Sequence, residues 1–183
     1  MVGNRLHADY QVGDTVQLSP PRGEFVFDAT KISPSAPVVL LSAGVGATPM
    51  LSILDSIRDT TPGAGSGGRP RDVTWAHGAR SSDAVCYGRH VRQAAADADA
   101  NLTAKVFLGS VAEGDVKGVD YDYTGRFDLG KLVADKVLPL ERADAEYFIC
   151  GPKDWMILVR DGLQANGVDT EKIHLELFAT GGV

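Results

Sequence analysis

Cysteine is nearly absent: Cys86 and Cys150 are the only two in 183 residues. They stand far apart and form no Cys-x-x-Cys pair, which excludes a disulfide scaffold and a zinc ribbon. Two free thiols in a reducing compartment, and so a cytoplasmic location, are the expectation. Positive charge is also short: 18 Lys and Arg face 24 Asp and Glu, for a net charge of −6. That balance does not suit a phosphate-backbone partner, so no nucleic acid is expected. Long hydrophobic runs are missing. The longest, Pro37-Val38-Val39-Leu40-Leu41, is far too short to cross a bilayer, so no membrane partner is expected. Residues 1–17 lack the apolar centre of a signal peptide. No P-loop lysine and no Gly-x-Ser-x-Gly elbow occurs, which argues against a triphosphatase and a serine hydrolase. His77, His90 and His174 share no metal-ligand spacing with each other or with the cysteines, so no metal site is expected.

What is present is the composition of an ordinary globular domain, 44% apolar and 23% charged, long enough for one full core. Residues 13–19 and 24–27 read as two short extended pieces broken by Pro20-Pro21-Arg22-Gly23, with no partner strand in the first thirty residues. From Pro37 the pattern changes. Val38-Val39-Leu40-Leu41-Ser42 reads as a strand buried on both faces, and Met50, Ile53, Leu54 and Ile57 recur at helical spacing after it. Residues 63–71 are a Gly/Pro/Ser-rich loop. Residues 73–77, 102–108, 147–150 and 173–178 read as further strands. Residues 87–98, 129–133 and 152–164 read as helices, with Asp128 as an N-cap. Residues 112–124 read as a loop insertion. Alternating strands and helices imply a doubly wound, Rossmann-like α/β fold: a parallel five-stranded sheet with helices on both faces. Ligands of such sheets bind at the carboxyl ends of the strands, where the strand order reverses.

The loop after the first strand is Ala43-Gly44-Val45-Gly46-Ala47-Thr48-Pro49. Gly44 and Gly46 permit positive φ and close approach of a ligand to the backbone. Thr48 is placed as an N-cap and Pro49 as the first helical residue. Free amides at the positive end of a helix make an anion site, suited to a pyrophosphate. Cys150-Gly151-Pro152 repeats the design near the C-terminus, with Pro152 opening a helix. No histidine is positioned by sequence to activate Cys150 as a nucleophile.

These segments carry a family resemblance. Ser42-Ala43-Gly44-Val45-Gly46-Ala47-Thr48-Pro49-Met50-Leu51 resembles the nucleotide-binding loop of the ferredoxin–NADP reductase superfamily, its flavohaemoglobin (nitric oxide dioxygenase) branch above all. Trp75-Ala76-His77-Gly78-Ala79, Tyr147-Phe148-Ile149-Cys150-Gly151-Pro152 and Ile173-His174-Leu175-Glu176-Leu177-Phe178 are similar to that branch in the same order. Leu6-His7 and residues 13–25 resemble the last strands of its antiparallel flavin-binding β-barrel. The resemblance implies a barrel remnant over residues 1–30 and an NAD(P)-binding domain over residues 31–183. It implies an oxidoreductase that moves hydride from NAD(P)H to FAD and on to an acceptor, haem in relatives of this kind. The alternative is a nucleotide-binding module without turnover.

The resemblance also implies roles. The pyrophosphate would lie over residues 44–49, and the adenosine near residues 78–82, with His77, Arg80 and Ser81 on the cofactor side. The nicotinamide would lie near Cys150, Gly151 and Pro152. Phe178 would lie close to the isoalloxazine, with Glu176 nearby, and Cys150, Glu176 and Phe178 are the implied catalytic set. The Arg-x-Tyr-Ser motif of the flavin barrel and a globin segment do not occur in the sequence. The FAD site is therefore expected to be incomplete here, and FAD-binding and haem (globin) domains are the implied partners. Arg80 suits a 2′-phosphate and Asp83 stands close by, so NADH and NADPH both stay open.

Overall fold

In the computed structural model, which describes residues 2–20, 23–60, 70–97 and 101–177, the apolar run after Pro37 is a strand with both faces covered. β1 (Val38–Ala43) runs at the centre of the sheet, and Val38, Val39, Leu40 and Leu41 have no exposed surface. A β-branched and leucine-rich run suits this place because parallel strands carry helices on both sides. β2 (Val73–Ala79) and β3 (Leu102–Leu108) pair parallel on one side of it, and β5 (Glu146–Cys150) and β6 (Ile173–Glu176) on the other. A two-residue strand, β4 (Tyr123–Thr124), closes the far edge, giving a six-stranded parallel sheet in the order β4-β3-β2-β1-β5-β6. The order reverses between β1 and β5. The loops after these two strands therefore leave in opposite directions and open a crevice.

Two hydrophobic layers sandwich the sheet. On one face, α2 (Ala47–Thr60) and α3 (Gly88–Ala96) place Met50, Ile53, Leu54, Ile57 and Val91 on Val38, Leu40, Trp75, Val106 and Phe148. On the other, α4 (Leu129–Ala134) and α5 (Lys153–Ala165) place Leu132, Met156, Val159 and Leu163 on Val39, Leu41, Phe107 and Ile149. Burying each such side chain stabilises the fold by about 2 kcal/mol. Asp128 caps α4, its carboxylate accepting from the Gly130 amide at 2.9 Å. No described helix is long and apolar enough to cross a membrane.

The sheet has one strand more than the five expected, because β4 lies within the insertion of residues 112–124. Asp122 explains it. Its backbone N–H donates to the Val106 carbonyl (2.8 Å) and its carboxylate accepts from the Val106 amide (2.8 Å), so the insertion docks on the β3 edge. The amino-terminal part also differs from expectation. Residues 2–9 form a helix, α1 (Val2–Asp9), and residues 10–20 and 23–37 contain no strand. An extended piece needs a partner ladder, and none is present among the described residues. Phe25 and Phe27 are used differently: Phe25 packs edge-on against Phe148 (5.6 Å between centroids), and Arg71 lies over the Phe27 ring. α3 begins at Gly88, one residue later than expected, because Tyr87 adopts a left-handed backbone (φ 60°).

Four buried polar residues, Ser42, Thr74, His77 and Glu146, interrupt the core. Glu146, 5% exposed, accepts from Lys172 Nζ at 2.7 Å and lies 2.8 Å from His174 Nε2, tying the start of β6 to β5. Ser42 and His77 are wholly buried, with Ser42 Oγ and His77 Nδ1 2.9 Å apart. The His77 ring stacks on Trp75 (5.3 Å). Burial drives the His77 pKa down to about 4, so the imidazole is neutral at pH 7.

Two outcomes are expected. The unfolded chain takes up a proton at His77 near pH 6.5, whereas the folded chain resists it to about pH 4. His77 therefore removes up to about 3 kcal/mol of stability as pH falls through that window. Urea midpoints measured from pH 7 to 4.5 should fall less steeply for His77→Asn than for the parent. Asp122 also accepts from Arg92 Nη2 at 2.7 Å and pairs with Lys105 at 3.4 Å. Asp122→Ala leaves the Val106 amide and the Arg92 guanidinium without that acceptor and should cost about 2 kcal/mol in urea denaturation. Asp122→Asn should cost less.

Candidate functional site

The crevice is built from the first βα loop. Gly44–Gly46 is a single 3-10 turn that runs directly into α2, and Ala43 before it offers no side-chain cap. The amides opening such a turn have no acceptor within it. Gly44 has φ +55°, and a Cβ placed on it would meet nothing within 4 Å, so this side of the loop is open. Val45 is the exposed tip, at 66%. Gly46 is different. It is buried, and a Cβ there would lie 2.0 Å from the Cys150 carbonyl oxygen. The glycine is required by the neighbouring loop of this same chain, not by approach of a ligand.

Thr48 is not the N-cap. The 3-10 turn starts the helix early and places Thr48 inside the first turn of α2, where its hydroxyl donates to the Val45 carbonyl at 3.0 Å. Pro49 is likewise the third residue of α2 rather than the first, still within the turn that tolerates a missing amide. Ala47 is fully buried beneath the turn.

The second loop leaves β5 beside it. Cys150 ends the strand with no exposed surface, and the thiol pKa is pushed up to about 11, by burial first and then by the charge of Glu176. At pH 7 it is a thiol, so the nucleophilic thiolate is not available. A Cβ on Gly151 would lie 2.8 Å from the Trp155 ring and 3.3 Å from the Ala43 Cβ, so this glycine also serves close packing. Pro152 is the N-cap of α5 rather than its first residue, with φ −59° and ψ 139°, and the Met156 amide donates to its carbonyl at 2.9 Å. Glu176, half-buried, is the register partner of Cys150 on β6. Phe178 lies outside the described residues.

The third loop follows β2. The His77 ring has no exposed surface and stacks on Trp75, so it does not line the crevice surface. Arg80 is exposed, while its carbonyl accepts from the Ser110 amide (2.8 Å) and hydroxyl (3.1 Å). The Ser81 hydroxyl is already committed, donating to Asp83. A cleft of about 910 Å³ lies beyond, lined by Ser82, Val85, Tyr87, Arg89, Arg92 and Val119 among others. A cavity of about 940 Å³ opens at the amino-terminal edge of the sheet, around Val73, Leu102 and Leu138. Its place is wrong for a dinucleotide, because the open helix N-termini of α2 and α5 face the other edge.

The fold thus gathers residues 44–49 and 150–152 into one surface, with Glu176 beside it and Arg80 at its flank. It withdraws His77 and the Cys150 thiol beneath that surface. Sequence reading missed the Ser42–His77 pair and the contact of Gly46 with Cys150. Only the pair had a signal: Ser42 and His77 are polar residues towards the carboxyl ends of two largely apolar strands.

The family described as the oxidoreductase NAD-binding domain matches residues 40–161. The flavohemoprotein of Bordetella pertussis is 38% identical over 183 residues, all of this chain and 42% of the relative. The flavohem-like FAD/NAD-binding domain of nitric oxide dioxygenase from Vibrio cholerae superposes with a TM-score of 0.74 at 31% identity, covering 97% of this chain and 64% of that one. Flavohemoglobin from Malassezia yamatoensis, solved with bound FAD and heme, has a TM-score of 0.55 at 30% identity, over 80% of this chain and 33% of that one. The chain therefore spans about two fifths of the length of the curated relatives it matches. From the reversal of strand order, the two interlocked loops and the match over most of the sheet, the chain belongs to the oxidoreductase NAD-binding domain family.

Proposed function

We propose that this chain holds NAD(P)H for hydride transfer to FAD, as the pyridine-nucleotide half of a flavohaemoprotein reductase. The observation that carries the reading is the open face of Gly44 beside the Gly46–Cys150 contact. It leaves the approach at Gly44 unobstructed, just ahead of a 14-residue helix. The amides of Gly44, Val45 and Gly46, with the positive end of α2, hold the pyrophosphate. Arg80 lies at the adenosine end, where its guanidinium suits a 2′-phosphate. The backbone of Cys150, Gly151 and Pro152 presents a surface without side-chain bulk for the nicotinamide ring.

FAD supplies the hydride acceptor when bound. The described residues fit only its edge: residues 3–20 are exposed and contain no barrel strand. Residues 1–30 are read as the tail of a neighbouring flavin-binding unit, with Phe25 and Phe27 as its footing on the sheet, and residues 31–183 as the nucleotide-binding domain. Glu176 then faces that unit. The protein's share of the chemistry is placement and electrostatics. The buried neutral thiol of Cys150 adds no charge where the nicotinamide becomes cationic. Electrons leave through the flavin to an acceptor on another domain, haem in a flavohaemoprotein, and the setting is cytoplasmic.

Titration of NADH and NADPH into the purified chain tests the reading; absence of binding of both at millimolar concentration would overturn it. Gly44→Ala adds a methyl to an open left-handed position at a folding cost of about 1 kcal/mol. It should nevertheless weaken dinucleotide binding about tenfold or more by occupying the pyrophosphate position. Gly46→Ala should act otherwise, lowering stability by about 2 kcal/mol or more because two loop backbones must separate. Arg80→Ala should weaken NADPH about tenfold and leave NADH unchanged.

A further inference from the structure

β6 is held by little apolar packing. It is four residues long, lies at an edge of the sheet, and none of its residues is fully buried. Its side chains alternate, with Ile173 and Leu175 on one face and His174 and Glu176 on the other. That alternation excludes a slip of one residue, which would exchange the faces. It does not exclude a slip of two. Leu175 then takes the place of Ile173, or Ile173 that of Leu175, a swap that packing tolerates. The apolar pattern therefore leaves the register of β6 open.

Glu146 decides it. This residue is fixed at the start of β5: it pairs in register with Val38, and its amide donates to the Pro37 carbonyl at 2.9 Å. Its buried carboxylate is shared by the start of β6. One oxygen accepts from Lys172 Nζ at 2.7 Å, and the other lies 2.8 Å from His174 Nε2. A carboxylate only accepts, so Nε2 carries the hydrogen and donates. The His174 ring also stacks on Phe148, its register partner, with centroids 4.5 Å apart. Either two-residue slip breaks these contacts. One sets Glu176 opposite Phe148, where His174 now is, with its carboxylate towards that of Glu146. The other sets His174 opposite Cys150 and takes Glu176 beyond the end of β5.

We propose that Glu146, Lys172 and His174 are positioning residues for Glu176: the clamp selects the one register of β6 that sets the Glu176 carboxylate opposite Cys150, at the nicotinamide end. The nicotinamide clause rests on the function proposed above; the register does not. Pairing and electrostatics agree on the placement, because the charge of Glu176 reaches Cys150 and helps to push its thiol pKa up. A carboxylate there favours the cationic ring of NAD+ over the neutral ring of NADH.

The test uses the whole chain. The Lys172 and His174 side chains are 35% and 37% exposed, so both can turn to water when Glu146 is replaced, and Glu146→Met fills the same space without a charge. NMR of the parent should find His174 against Phe148 and Glu176 against Cys150. In Glu146→Met those contacts should be lost or replaced by those of a two-residue shift. The amides of residues 173–176 should exchange about tenfold faster, with β1, β2 and β3 unchanged. Glu146→Gln keeps an acceptor oxygen and should restore the parent contacts. Should Glu146→Met fail to fold, His174→Phe keeps the ring on Phe148 without the donor and should speed the same exchange about fivefold. Parent contacts and parent exchange rates in Glu146→Met, or in His174→Phe where it stands in, overturn the clamp. Titration of NAD+ and NADH then reads its purpose. Glu176→Gln should weaken NAD+ relative to NADH about threefold. Glu146→Met should do the same, and the two together no more. Equal loss for both nucleotides, or additive loss in the double variant, overturns the route through Glu176. Failure of the parent chain to bind either nucleotide overturns the functional reading and leaves the clamp to the NMR results.

Discussion

A single contact organises the candidate site: the backbone of Gly46 lies against the carbonyl of Cys150 with no room for a side chain between them. Because β1 and β5 are neighbours at the reversal of strand order, their two loops would otherwise diverge. The contact locks them into one surface. It buries Gly46, leaves Gly44 open at the tip, and draws Gly151 against Ala43 and Trp155. Two helices begin at this same edge of the sheet because β1 and β5 run parallel. Their unpaired amides become a joint electrostatic feature only when the loops touch.

Beneath that surface the core is divided by chemistry. The buried middle of β1, β2 and β5 is apolar, and the sandwich of α2 and α3 on one face and α4 and α5 on the other covers it. The buried polar residues lie towards the two ends of those strands. At the amino end, Glu146 gathers Lys172 and His174; at the carboxyl end, Ser42 and His77 meet beneath the loops. The two arrangements differ in cost. A buried carboxylate bonded to Lys172 and lying against His174 survives desolvation through those contacts, whereas a buried imidazole survives by staying neutral. Membership of the oxidoreductase NAD-binding family and the withdrawal of the Cys150 thiol from the surface point the same way. The chain contributes backbone geometry and a quiet electrostatic setting, not a nucleophile.

Much of the sheet was legible from residues. Val38-Val39-Leu40-Leu41 could only be a strand covered on both faces, and Asp128 was readable as a cap because an aspartate before a helical run has one economical use. Thr48 was misplaced because a 3-10 turn ahead of α2 has no sequence signature that separates it from a loop. Residues 13–19 alternate as a strand does, yet a strand is a relation between two segments, and no described segment pairs with them. β4 was missed for the converse reason. Tyr123-Thr124 is too short to show a period, and its place comes from Asp122 gripping the β3 edge from seventeen residues' distance or less, through bonds to Lys105 and Val106.

The sequence by itself determined the alternation of strand and helix, the paired glycine–proline loops and the absence of basic and membrane-spanning segments. These are local: they depend on hydrophobic period, on the missing Cβ of glycine and on the missing amide of proline. Tertiary structure alone decided that Gly46 answers to Cys150 rather than to a ligand, that His77 turns inward to Ser42, and that the thiol lies below the surface its backbone helps to form. Each of these depends on distances between residues 35 to about 100 positions apart, which no spacing within a strand or helix encodes.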